Sequence, residues 1–458
     1  MLNRRGFFGS ALGLAAGLTL PRAAQSAELS HVEKASMRGA IDATDLGVRP
    51  GALDDQSKAF AKMLQTASDR DMPLHLPPGV YVVSNLSLPK RVRLTGVPGA
   101  SRIVYGGDGF LFAAEGSDLI EFEGIVFDAA NRWIGDHALA ALDFRHVRHL
   151  AIDKCEVTGS GKNAIAMERV GGRIERTEIS GAADVAIYAV ESQGLSITGN
   201  TIRDCANGGI LVHRWQPAED GTIVTSNRIE RIGARDSGTG QHGNGINAFR
   251  AGNVVITGNI VSDCAFSAIR ANSASNIQIS SNTCLRSGET GIYSEFSFEG
   301  AIINSNIVDG ATNGISVVNF NEGGRMAVCS GNIVRNMVTQ GPYTADPPGF
   351  GSGISIEADC AVTGNVIESA PLNGMNIGWG EFMRNVVATG NVIRKTGTGI
   401  AVTVVEGVGS AVISDNLIEG AERGGIVGFR WAEPVTGDLA LEGAAEFANL
   451  TVERNRVV

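Results

Sequence analysis

One short phrase recurs along this 458-residue chain, and its spacing most constrains what the chain can fold into. An apolar fragment leads into Asn and then a second apolar fragment: "SITGNTI" at Asn200, "IVTSNRI" at Asn227, "VITGNIV" at Asn259, "QISSNTC" at Asn282 and "IINSNIV" at Asn306. The phrase returns at Asn332, Asn365, Asn391, Asn416 and Asn455, and earlier "IDKCEV" and "RIERTEI" fit the frame with Cys155 and Thr177 in the Asn slot. Intervals are mostly 22–27 residues, stretched to 32, 33 and 39 at three places. Self-similarity at such a period means stacked units, each burying its apolar face only against its neighbours. The units read as short period-2 strands broken by Gly and Asn, without helical periodicity or a leucine ladder. That leaves an all-β parallel β-helix of about thirteen turns, counted from the aligned repeats, with turns about 4.8 Å apart. The repeated Asn is structural: it takes the left-handed bend between strands and bonds its counterparts above and below as a ladder.

Ahead of the repeats, "LDDQSKAFAKMLQTASD" (Leu53–Asp69) is the one amphipathic helix, expected over 54–69. Asp54 or Asp55 serves as N-cap, and Phe60, Met63, Leu64 and Ala67 share a face. A solenoid's open end needs such a cap, and "MPLHLPPGVYVV" then supplies the first strand. The first 27 residues have a different character. Arg4-Arg5 and Phe7 precede an apolar stretch to Leu20, and "PRAAQSA" follows with small residues suited to cleavage. They read as a twin-arginine export signal, too short to span a membrane. The expected organisation is therefore signal 1–27, cap segment 28–90 and β-helix 91–458. The mature chain has no transmembrane segment, lies in the periplasm or is secreted, and meets the twin-arginine machinery during export. Its formal charge of −10 falls to about −13 on loss of the leader, which excludes nucleic acid as a natural partner. Cys155, Cys205, Cys264, Cys284, Cys329 and Cys360 lie well apart, mostly within apolar strands, and read as buried free thiols.

The stretch "DATDLGVRPGALDDQSKAF…LHLPPGVYVV" resembles the opening of pectate-lyase-like right-handed β-helix proteins. With the leader, the chain looks like a twin-arginine-translocated β-helix repeat family of unassigned activity. The resemblance spans nearly the whole mature chain and implies a right-handed coil. Similar folds include pectate lyases, polygalacturonases, alginate lyases and epimerases, phage tailspikes and non-enzymatic surface proteins. It therefore implies a polysaccharide partner, while fold alone does not fix function. The sequence departs from these families' signatures. There is no Asp-Pro-His-Asp stretch of the epimerase kind and no run of outward aspartates for calcium. "GQHG" (240–243) lacks the acidic partners of polygalacturonases. No cofactor is indicated, calcium is implied only by the resemblance, and no metal-ligand set is seen.

A second repeat, Gly-Ile, opens one strand of each turn, with Ile187, Ile210, Ile246, Ile269, Ile292, Ile315 and Ile354 pointing inward. The next residue then points out, giving a row Tyr188, Leu211, Asn247, Arg270, Tyr293, Ser316, Ser355. Two positions further lies the row Val190, His213, Phe249, Asn272, Glu295, Val318, Glu357. Polar and titratable groups gather in the middle turns. Insertions at 213–221, 233–244 and 336–352 leave the coil beside these strands and would wall a groove. The candidate catalytic residues are Arg270, Tyr293, Glu295, His213 and Glu357. Asn247, Asn272, Arg250, Trp215, Trp379 and Tyr343 are candidates for holding sugar. Hydrolysis would use Glu295 and Glu357, two turns or about 9–10 Å apart. Lyase or epimerase chemistry on a uronate needs the carboxylate neutralised, a base and usually an acid. Arg270 and Tyr293, adjacent in one row about 4.8 Å apart, with His213, Asn272 and Glu295 beside them and Arg250 as a further cation, fit this slightly better. The alternative from another class is a non-catalytic glycan-binding or envelope-structural solenoid.

Overall fold

The computed structural model describes residues 39–237, 240–319 and 323–458. The expected export signal lies outside the described residues, as do Gly238 and Thr239 of "GTGQHG". Each repeat forms one coil of a parallel β-helix, and two sheets run the length of the stack. A 16-stranded sheet, from Ile41–Asp42 to Leu450–Glu453, holds the strand before each ladder Asn. A 28-stranded sheet holds the strand after the Asn and the Gly-Ile strand. In Val366–Ile377 and Val392–Thr403 these two run on as one strand. The 16 rungs exceed the thirteen turns expected. Ile41–Asp42, Leu74–His75 and Arg91–Thr95 already belong to the stack but precede any recognisable repeat.

The ladder forms with every amide group in use. From Asn200 to Asn416, each Nδ2 donates to the next ladder oxygen at 2.9–3.1 Å. Each backbone N–H, such as that of Asn259, donates to the same oxygen. The second Nδ2 proton goes to a strand carbonyl, as from Asn259 to Val224 at 3.0 Å. The bend is not at the Asn itself, as expected from sequence, but one residue earlier: Gly199, Gly258, Ser226 and Asp415 have φ of 66°, 65°, 57° and 57°. That turn aims the Asn side chain along the stack, and glycine fills it repeatedly because it meets no Cβ penalty there.

The Gly of Gly-Ile answers to space instead of backbone angle. A Cβ on Gly291 would lie 2.4 Å from Val308 Cγ1, and one on Gly314 2.3 Å from Val334 Cγ1. One on Gly374 would lie 2.4 Å from Ile393 Cγ2. The glycine faces the branched side chain two places after the ladder Asn, so the strand can close onto the core only where no Cβ intervenes. The residues that follow, Ile292, Ile315 and Met375, are fully buried.

The helix spans Ser57–Asp69 and buries Phe60, Met63, Leu64 and Ala67, as the periodicity requires. Phe60 meets the Tyr81 ring edge-on at 5.7 Å. Its start is three residues later than expected. Gln56 holds the cap position with its side chain turned back to the Arg49 backbone. Asp55 reaches over to accept from Ser57 N at 2.8 Å, while Asp54 pairs with Arg49. At the other end Glu433–Asp438 folds back antiparallel on Ile426–Arg430, and the Asp438 carboxylate accepts from the N–H groups of Gly425 and Ile426. All six cysteines are free and buried. Among the described residues, no helix is long and apolar enough to cross a membrane. Gly291→Ala is expected to lower stability by about 1–3 kcal/mol through overpacking. Val308→Ala in the same chain should recover part of it, measured by urea unfolding.

Candidate functional site

Strand pairing fixes the outward rows. Tyr188, Leu211, Asn247, Arg270, Tyr293, Ser316 and Ser355 stand in successive register, one per coil. Val190, His213, Phe249, Asn272, Glu295 and Val318 form the parallel row. Rungs about 4.8 Å apart make the two rows a strip along the axis.

At its centre the charges close on one another. Arg270 donates from Nε and Nη2 to the two oxygens of Glu295 at 2.6 and 2.9 Å. Asn272 Nδ2 adds a bond to Glu295 Oε1 at 2.8 Å. The Arg270 side chain is 11% exposed and that of Glu295 2%. The guanidinium also lies over the Tyr293 ring, 5.0 Å from its centroid. Burial, then the charges of Glu295 and Glu289, push the Tyr293 phenol up, against the opposing pull of Arg270. Tyr293 therefore keeps its proton near neutrality and is a donor, not a ready base.

Glu289 was not among the sequence candidates. It sits in the corner just before the Gly-Ile strand, outside the alternation from which the rows were read. Its Oε2 accepts from Ser267 at 3.0 Å and lies 3.8 Å from Arg270 Nη1. Its Oε1 accepts from Tyr343 Oη at 2.6 Å. Tyr343 comes from the 336–352 insertion, stacks on Phe266 at 6.2 Å and meets Phe350 edge-on at 5.4 Å. It remains 45% exposed. Two carboxylates thus share one guanidinium beneath an accessible aromatic ring.

The other candidates lie elsewhere on the strip. His213 is three rungs, about 14 Å, from Glu295. It packs edge-on between Tyr188 and Phe249, each at 5.5 Å, and borders a cavity of about 360 Å³. Its Nε2 is buried without a partner among the described residues. Burial alone pushes its imidazole down to about 4, so it is neutral at pH 7. Asn247 is buried, and its Oδ1 has no hydrogen-bond partner among the described residues. Trp215 is exposed under Arg169, 4.7 Å from its ring, and Arg250 donates to the Trp215 carbonyl while lying over Phe249. The 213–221 insertion is not an open loop: Gly208–Glu219 is one strand, irregular between His213 and Ala218. Glu357 accepts from Asn319 N at 2.7 Å. Val318 stands between the Glu295 rung and that of Glu357, and the two carboxylates hold different partners. Trp379 packs edge-on against Trp431 near the C-terminal hairpin. Among the described residues, no group of three or more His, Cys, Asp or Glu could hold a metal.

The chain belongs to the right-handed β-helix family: the profile described as "Right handed beta helix region" matches residues 131–241 and 219–385. No curated protein sequence matches it. The N-terminal fragment of bacteriophage Phi29 gene product 12 is 15% identical with a TM-score of 0.54, covering 93% of this chain and 76% of that one. The pre-mature bacteriophage phi29 gene product 12 gives 15% and 0.56, covering 87% of this chain and 56% of the other, so this chain spans about half its length. The A-module of Azotobacter vinelandii mannuronan C-5 epimerase AlgE4 is 14% identical with a TM-score of 0.35, covering 91% and 95%. At such identities the likeness to the phage proteins shows the fold alone.

Two outcomes follow from the site. Glu295→Ala leaves the buried Arg270 without its two short hydrogen bonds and with only Glu289 at 3.8 Å, and should cost about 3 kcal/mol, whereas Arg270→Met with Glu295→Leu should regain most of that in thermal unfolding. His213 has a folded pKa of about 4 against an ordinary 6.5, so it contributes stability above pH 6.5 that is lost as pH falls towards 4. Denaturant midpoints taken above and within that window should show the wild type weakening relative to His213→Phe.

Proposed function

We propose that this is an exported polysaccharide-active β-helix protein that binds a glycan along the strip and hydrolyses it at the Arg270 cluster. The observation that carries the reading is the pair Glu289 and Glu295 on one guanidinium, with exposed Tyr343 hydrogen-bonded to Glu289. Glycoside hydrolysis needs one carboxyl to protonate the leaving oxygen and another to act on water or the anomeric carbon. A sugar ring stacking on Tyr343 would draw the phenol from Glu289 and uncover that acid. Elimination from a uronate fits less well. Arg270 has Nε and Nη2 committed to Glu295, and its Nη1 faces Glu289, so an incoming carboxylate would meet two like charges.

A non-catalytic glycan-binding role is favoured by one feature: both Glu295 oxygens are already bonded in a side chain 2% exposed, as in a structural brace. One experiment separates the readings. The mature protein is incubated with neutral, amino-sugar and uronate polysaccharides, and products are analysed by mass spectrometry beside a binding assay. Shortened, hydrated chains are expected, with turnover reduced about 10²–10⁴-fold by Glu289→Gln. Unsaturated products would replace the hydrolase with a lyase. Binding without any product would leave the binding protein, and no binding at all would sink both.

A further inference from the structure

The cavity beside His213 lies three rungs, about 14 Å, from Arg270, measured along Tyr188, Leu211, Asn247 and Arg270. Tyr188 and Leu211 form its floor, and Asp184, His213 and His242 stand around it. Its charge is unbalanced. Asp184 accepts one hydrogen bond, from Asn207 Nδ2 at 3.0 Å, and no ion pair to it occurs among the described residues. The same Asn207 amide also holds Asp236 at 2.7 Å, bringing a second carboxylate close. Arg235 lies within electrostatic reach of Asp184 but bonds Asp236 at 3.0 Å, so one guanidinium faces two carboxylates, and Lys162 donates to the carbonyls of Gly135 and Ala138. His213 contributes no positive charge at neutral pH, yet its Nε2 is a buried ring nitrogen with no partner among the described residues. A half-buried carboxylate with no ion pair of its own among the described residues, a second carboxylate sharing its one nearby guanidinium, an aromatic floor and an unsatisfied ring nitrogen together ask for a ligand carrying one positive charge and a hydroxyl.

We propose that this cavity is a subsite for an amino sugar, with Asp184 receiving the ammonium group, Tyr188 beneath it, and His213 bonding a ring hydroxyl. The assignment rests on the strip being a polysaccharide groove and narrows its substrate class to hexosamine-containing polymers. The ammonium gains from the carboxylate and from the negative face of the Tyr188 ring together. Acetylation of the amine removes the charge, and a uronate would be repelled.

Calorimetric titration of the mature protein with a fully deacetylated glucosamine hexamer, its N-acetylated counterpart, a neutral glucose hexamer and a uronate hexamer tests this. The deacetylated hexamer should bind at least tenfold more tightly than the N-acetylated one, with an affinity that falls as salt is raised. Asp184→Asn, which keeps an oxygen for Asn207, and Tyr188→Leu should each lower it about tenfold, with unchanged thermal unfolding as the folding control. Equal affinity for the two glucosamine hexamers, or no effect of Asp184→Asn, overturns the subsite. If the neutral hexamer still binds, the groove stands without it; if no oligosaccharide binds, the groove itself falls.

Discussion

An asparagine side chain has two amide protons and one oxygen with two lone pairs, and in the interior coils from Asn227 to Asn416 all four are used, as at Asn227. One bond goes up to the next ladder Asn and one down to a strand carbonyl of the preceding coil, while the oxygen accepts from the side chain and from the backbone of the Asn below. A ladder satisfied in this way admits only one register between neighbouring coils, because a slip of one residue would strand buried amide groups at every step. The outward rows inherit that register. Tyr188 stands in line with Arg270 and Tyr293 because Asn200, Asn227, Asn259, Asn282 and Asn306 are themselves in line.

The Gly-Ile repeat supplies the complementary constraint. The ladder sets the spacing along the axis, and the missing Cβ sets how close the Gly-Ile strand comes to the strand after the Asn. The coil is thin there, so the polar strip lies directly over a layer of isoleucine. Arg270 and Glu295 consequently lie against an apolar floor that offers them no hydrogen bonds, and they complete their bonding with Asn272, Ser267-bound Glu289 and each other. A resting site of this kind is rigid and internally neutralised in part. A ligand reaches it by exchanging one partner for another, and Tyr343 is the partner most exposed to solvent.

Most of this frame was legible from residue spacing alone, and the failures have a common origin. Period-2 alternation places every residue within a strand, so the two outward rows and the buried cysteines follow from the sequence. Corners have no such period. Glu289 and Asp184 occupy the corner before the Gly-Ile strand, where neither alternation nor repeat says which way a side chain turns. The 213–221 segment looked like an insertion because its Pro and charged residues interrupt the apolar pattern, yet it continues a strand and only bulges. His213 was grouped with Arg270 because a row conveys order but not separation along the axis until rungs are counted. The left-handed bend was assigned to Asn on intrinsic preference, whereas the positive φ falls on the residue before it and leaves the Asn side chain free to join the ladder.

The six buried thiols carry a consequence of a different kind. Burial pushes Cys155, Cys264 and Cys329 up to about 12 and Cys205 to about 11, so in the intact coil almost none is thiolate. Their reactivity is therefore gated by opening of the coil and not by their own acidity. They are also strung out along the axis in successive parts of the stack, from Cys155 to Cys360, in a fold whose units touch only their neighbours. Together they form a chemical ruler: the order in which they meet an alkylating reagent records where the stack first parts and in which direction the parting spreads.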